Sequence, residues 1–145
     1  MISEADRAVL DESCRTARTG REAIHAVIGK VEDEDLALDL NRQACRFVQL
    51  EEKVQREYAK ERLEPPKDSV MDRTKVWGGI RMNTLLDAGT GRLAERMIQE
   101  NARGIAQLGK AVKGNQTARR EYCELAREIM DFEEKNIEKL KAYLQ

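Results

Sequence analysis

An all-α protein is what this sequence predicts: a four-helix bundle with an additional short helix in the long connection between the second and third bundle helices. Three observations carry the prediction. Six aromatic residues in a chain of 145 leave too little for a sheet core, which leans on aromatic and β-branched side chains. The only two prolines are adjacent, Pro65 and Pro66, so the rest of the chain is free of the strongest helix breaker. Four stretches repeat apolar residues at spacings of three and four, with charge between them. Charged residues reach 37%, against roughly 25% in ordinary domains, as expected of helices with solvated outer faces. A chain of this length predicts one domain, residues 1–145.

The first helix opens at Ser3, where Ser3-Glu4-Ala5-Asp6 has the form of a capping box. Its stripe is Leu10, Cys14, Ala17, Ile24, Ile28 and Val31, widened by Val9 and Val27. The acidic run from Glu32 to Asp35 breaks the pattern, and Asp33 is placed to cap the second helix. That helix carries Ala37, Leu40, Ala44, Phe47, Val54 and Tyr58 on one face. It stops near Leu63, because Glu64 precedes the prolines and is pushed out of helical geometry. So short a connection makes the first two helices antiparallel neighbours.

Ser69-Val70-Met71-Asp72 repeats the capping logic and starts a shorter segment, to about Leu86, that carries Trp77, Ile80, Met82 and Leu85. Asp87-Ala88-Gly89-Thr90-Gly91 ends it. One helix over 70–113 would far exceed the average of roughly 11–12 residues, so two pieces are expected, with Thr90 capping the second. The third long helix bears Ala94, Ile98, Ile105, Leu108 and Val112 and ends at Gly114. Asn115 or Thr117 caps the last, whose stripe is Tyr122, Leu125, Ile129, Phe132, Ile137, Leu140 and Leu144.

At ~1.5 Å per residue, a helical segment from Ser69 to Leu86 rises about 27 Å, most of a bundle's length. It returns the chain to the end where the second helix began, so the third helix runs parallel to the second. The stretch from Trp77 to Gln99, together with Asp131-Phe132-Glu133-Glu134-Lys135-Asn136-Ile137-Glu138-Lys139-Leu140, resembles the ferritin-like superfamily, in a branch of small bacterial proteins with no agreed activity. The resemblance covers most of the chain in helix order and length. What it implies is the ferritin-like bundle, in which a long crossover replaces the tight turns of an up-down bundle.

Several function classes are disfavoured by composition. Twenty-six Lys and Arg balance 27 Asp and Glu for a net charge of −1, which argues against a nucleic-acid or anionic-membrane partner. Arg96, Arg103 and Lys110 recur every seven residues on the third helix, but no aromatics interleave them, and Glu124, Glu128, Asp131 and Glu138 offer an acidic counterpart. Cys14, Cys45 and Cys123 never form a CxxC pair and read as small core residues. With no signal-peptide pattern and no apolar run of about 20 residues, a cytoplasmic protein is expected.

A ferritin-like di-iron centre takes a Glu from each of two helices and a Glu-x-x-His from each of the other two. This chain has one histidine, His25, in Glu22-Ala23-Ile24-His25 on the first helix, where it falls beside the apolar seam. Polar residues do interrupt inward stripes: Glu51 on the second helix, Asn101 on the third, Glu133 and Asn136 on the fourth, with Glu95 flanking the third stripe. Buried carboxylates are costly unless paired or metal-bound. Two readings follow. The leading one is a non-enzymatic bundle without cofactor that self-associates, as a homodimer, or binds a protein partner. The apolar Trp77 segment with Met82 and Leu86 is its candidate surface. The alternative is a protein binding iron or another divalent metal through His25, Glu51, Glu95 and Glu133.

The stripes make a direct prediction. Circular dichroism is expected to report helix and no sheet, and Ile105→Ala or Leu125→Ala is expected to cost ~2–5 kcal/mol, as large-to-small core changes do. Costs under about 0.5 kcal/mol at both sites would show that the stripes are misassigned.

Overall fold

The computed structural model describes residues 1–67 and 89–144. The described residues form four long helices and no strand: α1, Glu4–Val27; α2, Glu34–Lys60; α3, Gly89–Gly114; and α4, Arg120–Leu140. Single 3-10 turns follow α1 and α4, at Ile28–Lys30 and Lys141–Tyr143. No helix among the described residues is long and apolar enough to cross a membrane. The expected short helix with Trp77, Met82 and Leu86 lies outside the described residues.

Local chemistry sets the helix ends. Ser3 Oγ accepts from the Asp6 amide at 3.0 Å while Asp6 accepts from the Ser3 amide at 2.9 Å, completing the capping box. Asp33 accepts from the Leu36 amide at 2.9 Å and caps α2 as expected. The far end of α2 differs from expectation: it stops at Lys60, before the prolines act. Arg62 takes a left-handed conformation (φ 56°), so that the Leu63 amide returns to the Tyr58 carbonyl and the Arg62 amide to that of Ala59. These two bonds satisfy the last carbonyls in the manner of a Schellman motif, with arginine in the usual glycine position. α3 is described from Gly89, whose φ is 88°, so Thr90, the expected cap, lies inside the helix rather than before it.

The start of α4 is a correction. Neither Asn115 nor Thr117 caps it; Arg119 occupies the cap position and offers no side-chain bond. The carboxylate of Asp6, from the first turn of α1, accepts from the Arg119 amide at 2.7 Å instead. The cap is supplied across the bundle.

Pairs between helices set their directions. Asp11 accepts from Tyr58, and Glu51 from Arg18 and Arg21, so α1 and α2 are antiparallel. Glu61 with Arg119, Glu128 with Arg46 and Lys53, and Asp39 with Tyr143 make α2 and α4 antiparallel. Asn136 donates to Asn101 at 3.1 Å, and Met130 lies beside Gly109, so α3 and α4 are antiparallel as well. Hence α2 and α3 run parallel, and the chain between Lys60 and Gly89 joins opposite ends of the helix array.

Phe47, Ile129 and Leu125 lie in the core, as the stripes require. Ala94 and Leu108 of the expected α3 stripe are buried, but the inward face is shifted toward Leu93 and Met97, and Ile98 and Ile105 are only half-buried. The large cost expected above therefore belongs to Leu125, and Ile105→Ala falls below it. Leu144 is exposed, and so is Cys45, while Cys14 and Cys123 are small core residues.

At mid-height the Phe47 ring meets the ring of Phe132 edge-on, with centroids 4.9 Å apart, and rests on the bare backbone of Gly20. A Cβ at Gly20 would stand 2.4 Å from the Phe47 ring. In a helix interior Gly→Ala ordinarily stabilises by about 1 kcal/mol. Here Gly20→Ala is expected to destabilise by about 1–3 kcal/mol, because a rigid, fully buried ring has nowhere to go. In a Phe47→Leu background the sign is expected to reverse. Urea unfolding of the four proteins decides the matter: a stabilising Gly20→Ala in the wild-type background would show that the ring does not sit there.

Candidate functional site

A cleft of about 730 Å³ opens between α1 and α3, floored by the Phe47 ring and by Glu133 of α4. Its walls are Thr16, Thr19, Gly20 and Ala23 of α1 against Glu100, Asn101, Gly104 and Gln107 of α3. Arg15, Arg103, Lys110 and Lys67 also border it, with Glu12 beside Arg15 at 3.7 Å. The size is that of a site for a small organic molecule.

Glycine makes this geometry possible. Gly104 exposes the backbone of α3 where the Glu133 carboxylate lies; a Cβ there would stand 2.2 Å from Glu133 Oε2. Glu133 is only 2% exposed, and its Oε1 has no hydrogen-bond partner among the described residues. Glu100, 8% exposed, sits in the same cleft and accepts from Arg96 at 2.8 Å. Below them Asn136 donates to Asn101, whose own amide donates to the Met97 carbonyl at 2.8 Å. Thr16 Oγ1, on the α1 wall, also lacks a partner among the described residues.

Electrostatics follow from burial. Removal from water pushes the Glu133 carboxyl up to about 9, and the neighbouring Glu100 adds to the shift. Burial also raises Glu100, opposed by the positive charges of Arg96 and Arg103. The two carboxyls therefore take up a proton at neutral pH, and Glu133, which has no cationic partner among the described residues, is the one that holds it.

The sequence-derived candidates divide sharply. Glu133, Asn136 and Asn101 are buried together as their stripes predicted. Glu51 is buried too, but on the α1–α2 side, where Arg18 and Arg21 hold it at 3.0 and 3.1 Å. Arg96 takes Glu100, while Arg46 reaches Glu128, which lies at the α2–α4 seam rather than opposite α3. His25 and Glu95 are exposed. His25, Glu51, Glu95 and Glu133 thus point to four different places, and no three His, Cys, Asp or Glu converge on a metal-sized site among the described residues. Two carboxylates without an imidazole do not fit a di-iron centre, which needs carboxylate bridges and nitrogen ligands together.

Glu100, Thr16, Gly20 and Gly104 are absent from the sequence reading. One signal was available for α3: Met97 and Gly104 stand seven apart with Glu100 and Asn101 between them, a stripe one position from the Ile98–Ile105 stripe. Set against family models, characterised proteins and solved structures, the chain matches none.

Glu133 generates a pH prediction. Its carboxyl is raised in the fold from 4.5 to about 9. A group raised in this way contributes stability that is fully present below its unfolded value and is lost as pH climbs through its folded value. Wild-type stability is therefore expected to fall across this window. Glu133→Gln, which keeps the shape and removes the titration, is expected to gain on the wild type as pH rises, by a few kcal/mol at the alkaline end. Urea unfolding as a function of pH checks it; parallel curves for the two proteins would sink the assignment.

Proposed function

We propose that this chain is a non-enzymatic binding protein built on a ferritin-like bundle, and that the α1–α3 cleft is where its ligand is held. The parallel course of α2 and α3 supports the ferritin-like reading, because a long crossover separates such bundles from up-down ones. One observation carries the functional reading: a buried carboxylate lies at the base of an open cleft with an oxygen unpartnered among the described residues. An unmade hydrogen bond of this kind costs about 1–3 kcal/mol, and a bound molecule that supplies the missing donor recovers it. The groups around it are carboxylates, amides and guanidinium ions, which recognise charge and hydrogen bonds. A protein partner or second copy belongs to the same reading where it extends a side chain into the cleft. The Trp77 surface first named for self-association lies outside the described residues.

The test is a thermal-shift screen of polar small molecules against the wild type and against Thr19→Trp, which fills the cleft from the α1 wall. At least one compound is expected to raise the wild-type Tm and to leave Thr19→Trp unmoved. Sedimentation equilibrium alongside reads association above the 16.6 kDa chain. A screen without a cleft-dependent compound, together with a clean monomer, would overturn the proposal.

A further inference from the structure

The two ends of the cleft differ in chemistry: the buried carboxyls of Glu133 and Glu100, the latter paired with Arg96 and near Arg103, stand at one, and Lys110 with the Arg15–Glu12 pair at the other. The register of α3 against α4 places Glu133 level with Gly104, next to Glu100 and Asn101. Lys110 lies on the same helix toward the other end, ~9 Å along the axis at about 1.5 Å per residue. Arg15 of α1 borders that end too, since α1 runs antiparallel to α3. The acidic end is deeply desolvated: Glu133 is 2% exposed, with Oε1 unpartnered among the described residues. The basic end is open, and its Lys110 and Arg15 side chains are exposed.

We infer that the cleft binds a two-headed molecule, an alkyl ammonium whose cationic end meets the Glu133 and Glu100 carboxylates and whose anionic end meets Lys110 and Arg15. This rests on the binding reading above and names the class of ligand. An ammonium that takes the place of the proton on Glu133 supplies three donors and a positive charge that no described residue gives it, in a place where burial makes each charge-assisted bond strong. Thr16 Oγ1, without a partner among the described residues, gives a further acceptor along the cleft. The Phe47 ring and Gly20, level with Glu133, give apolar surface to the methylenes next to the ammonium, and the chain then runs past Thr16 and Gln107 toward Lys110. A divalent cation fits less well, because a hard cation takes six or more oxygen ligands and the walls around Glu133 offer two carboxylates.

Isothermal titration calorimetry on the full chain decides the matter with three probes: ω-aminooctanoate, octylamine and octanoate. The expected result is that ω-aminooctanoate binds at least about tenfold tighter than either single-headed probe, a gain of ~1.4 kcal/mol. Glu133→Gln is expected to lose that gain while unfolding as cooperatively as the wild type, and Lys110→Glu to bring ω-aminooctanoate down to the level of octylamine. Equal affinity for octylamine and ω-aminooctanoate would overturn the anionic arm, and binding unchanged in Glu133→Gln would overturn the ammonium arm. Saturable binding of manganese that Glu133→Gln abolishes would replace the ammonium by a metal. If none of the probes binds while the thermal-shift screen yields a cleft-dependent compound, this inference falls and the binding reading stands.

Discussion

The carboxylate of Asp6 is the junction on which the register of the helices depends. It accepts from the Ser3 amide, closing the first turn of α1, and from the Arg119 amide, opening the first turn of α4. The Arg119 guanidinium in turn donates to Glu61 at the end of α2, at 2.7 Å. Three helix termini thus share one knot of charge. Burial pushes the Asp6 carboxyl up, but the hydrogen bonds from Ser3 and Arg119 outweigh it and leave the group below its usual range. Its contribution is therefore present above the ordinary aspartate range and is lost as pH falls through the lowered value. Side-chain packing alone tolerates small slips along a helix axis; charge-assisted bonds at a buried terminus do not.

Everything at mid-height follows from that register. With α1 and α4 starting side by side, Gly20 comes level with Glu133, and α3 folded back on α4 brings Gly104 to the same level. Two glycines then face a ring and a carboxylate: Phe47 fills the space at Gly20, and Glu133 fills the space at Gly104. One contact is apolar and closes the core between α1 and α2. The other is polar and leaves a desolvated acid beside an open cleft. Natural cores seldom hold an acid in this state, because burial without a partner costs several kcal/mol unless a proton or a ligand compensates. The same group on which the proposed binding rests makes the bundle less stable at alkaline pH.

Much of the architecture was written locally. The Ser3 capping box and the Asp33 cap depend on side chains within a few residues of the backbone they bond, so the sequence alone located them. Inward Asn101, Glu133 and Asn136 were also legible, because a polar residue at the spacing of an apolar stripe has nowhere else to point. The parallel course of α2 and α3 followed from the length of chain between them, a matter of reach rather than of contacts. What local chemistry could not decide was which of two adjacent faces of α3 turns inward. Ile98 and Ile105 make as apolar a pair as Leu93 and Met97, and the face that turns inward is the one that brings Gly104 against Glu133. The partner of Glu51, the cap of α4 and the cleft itself belong to the tertiary structure for the same reason. Each joins residues tens of positions apart, and a helix carries no record of what will be packed against it.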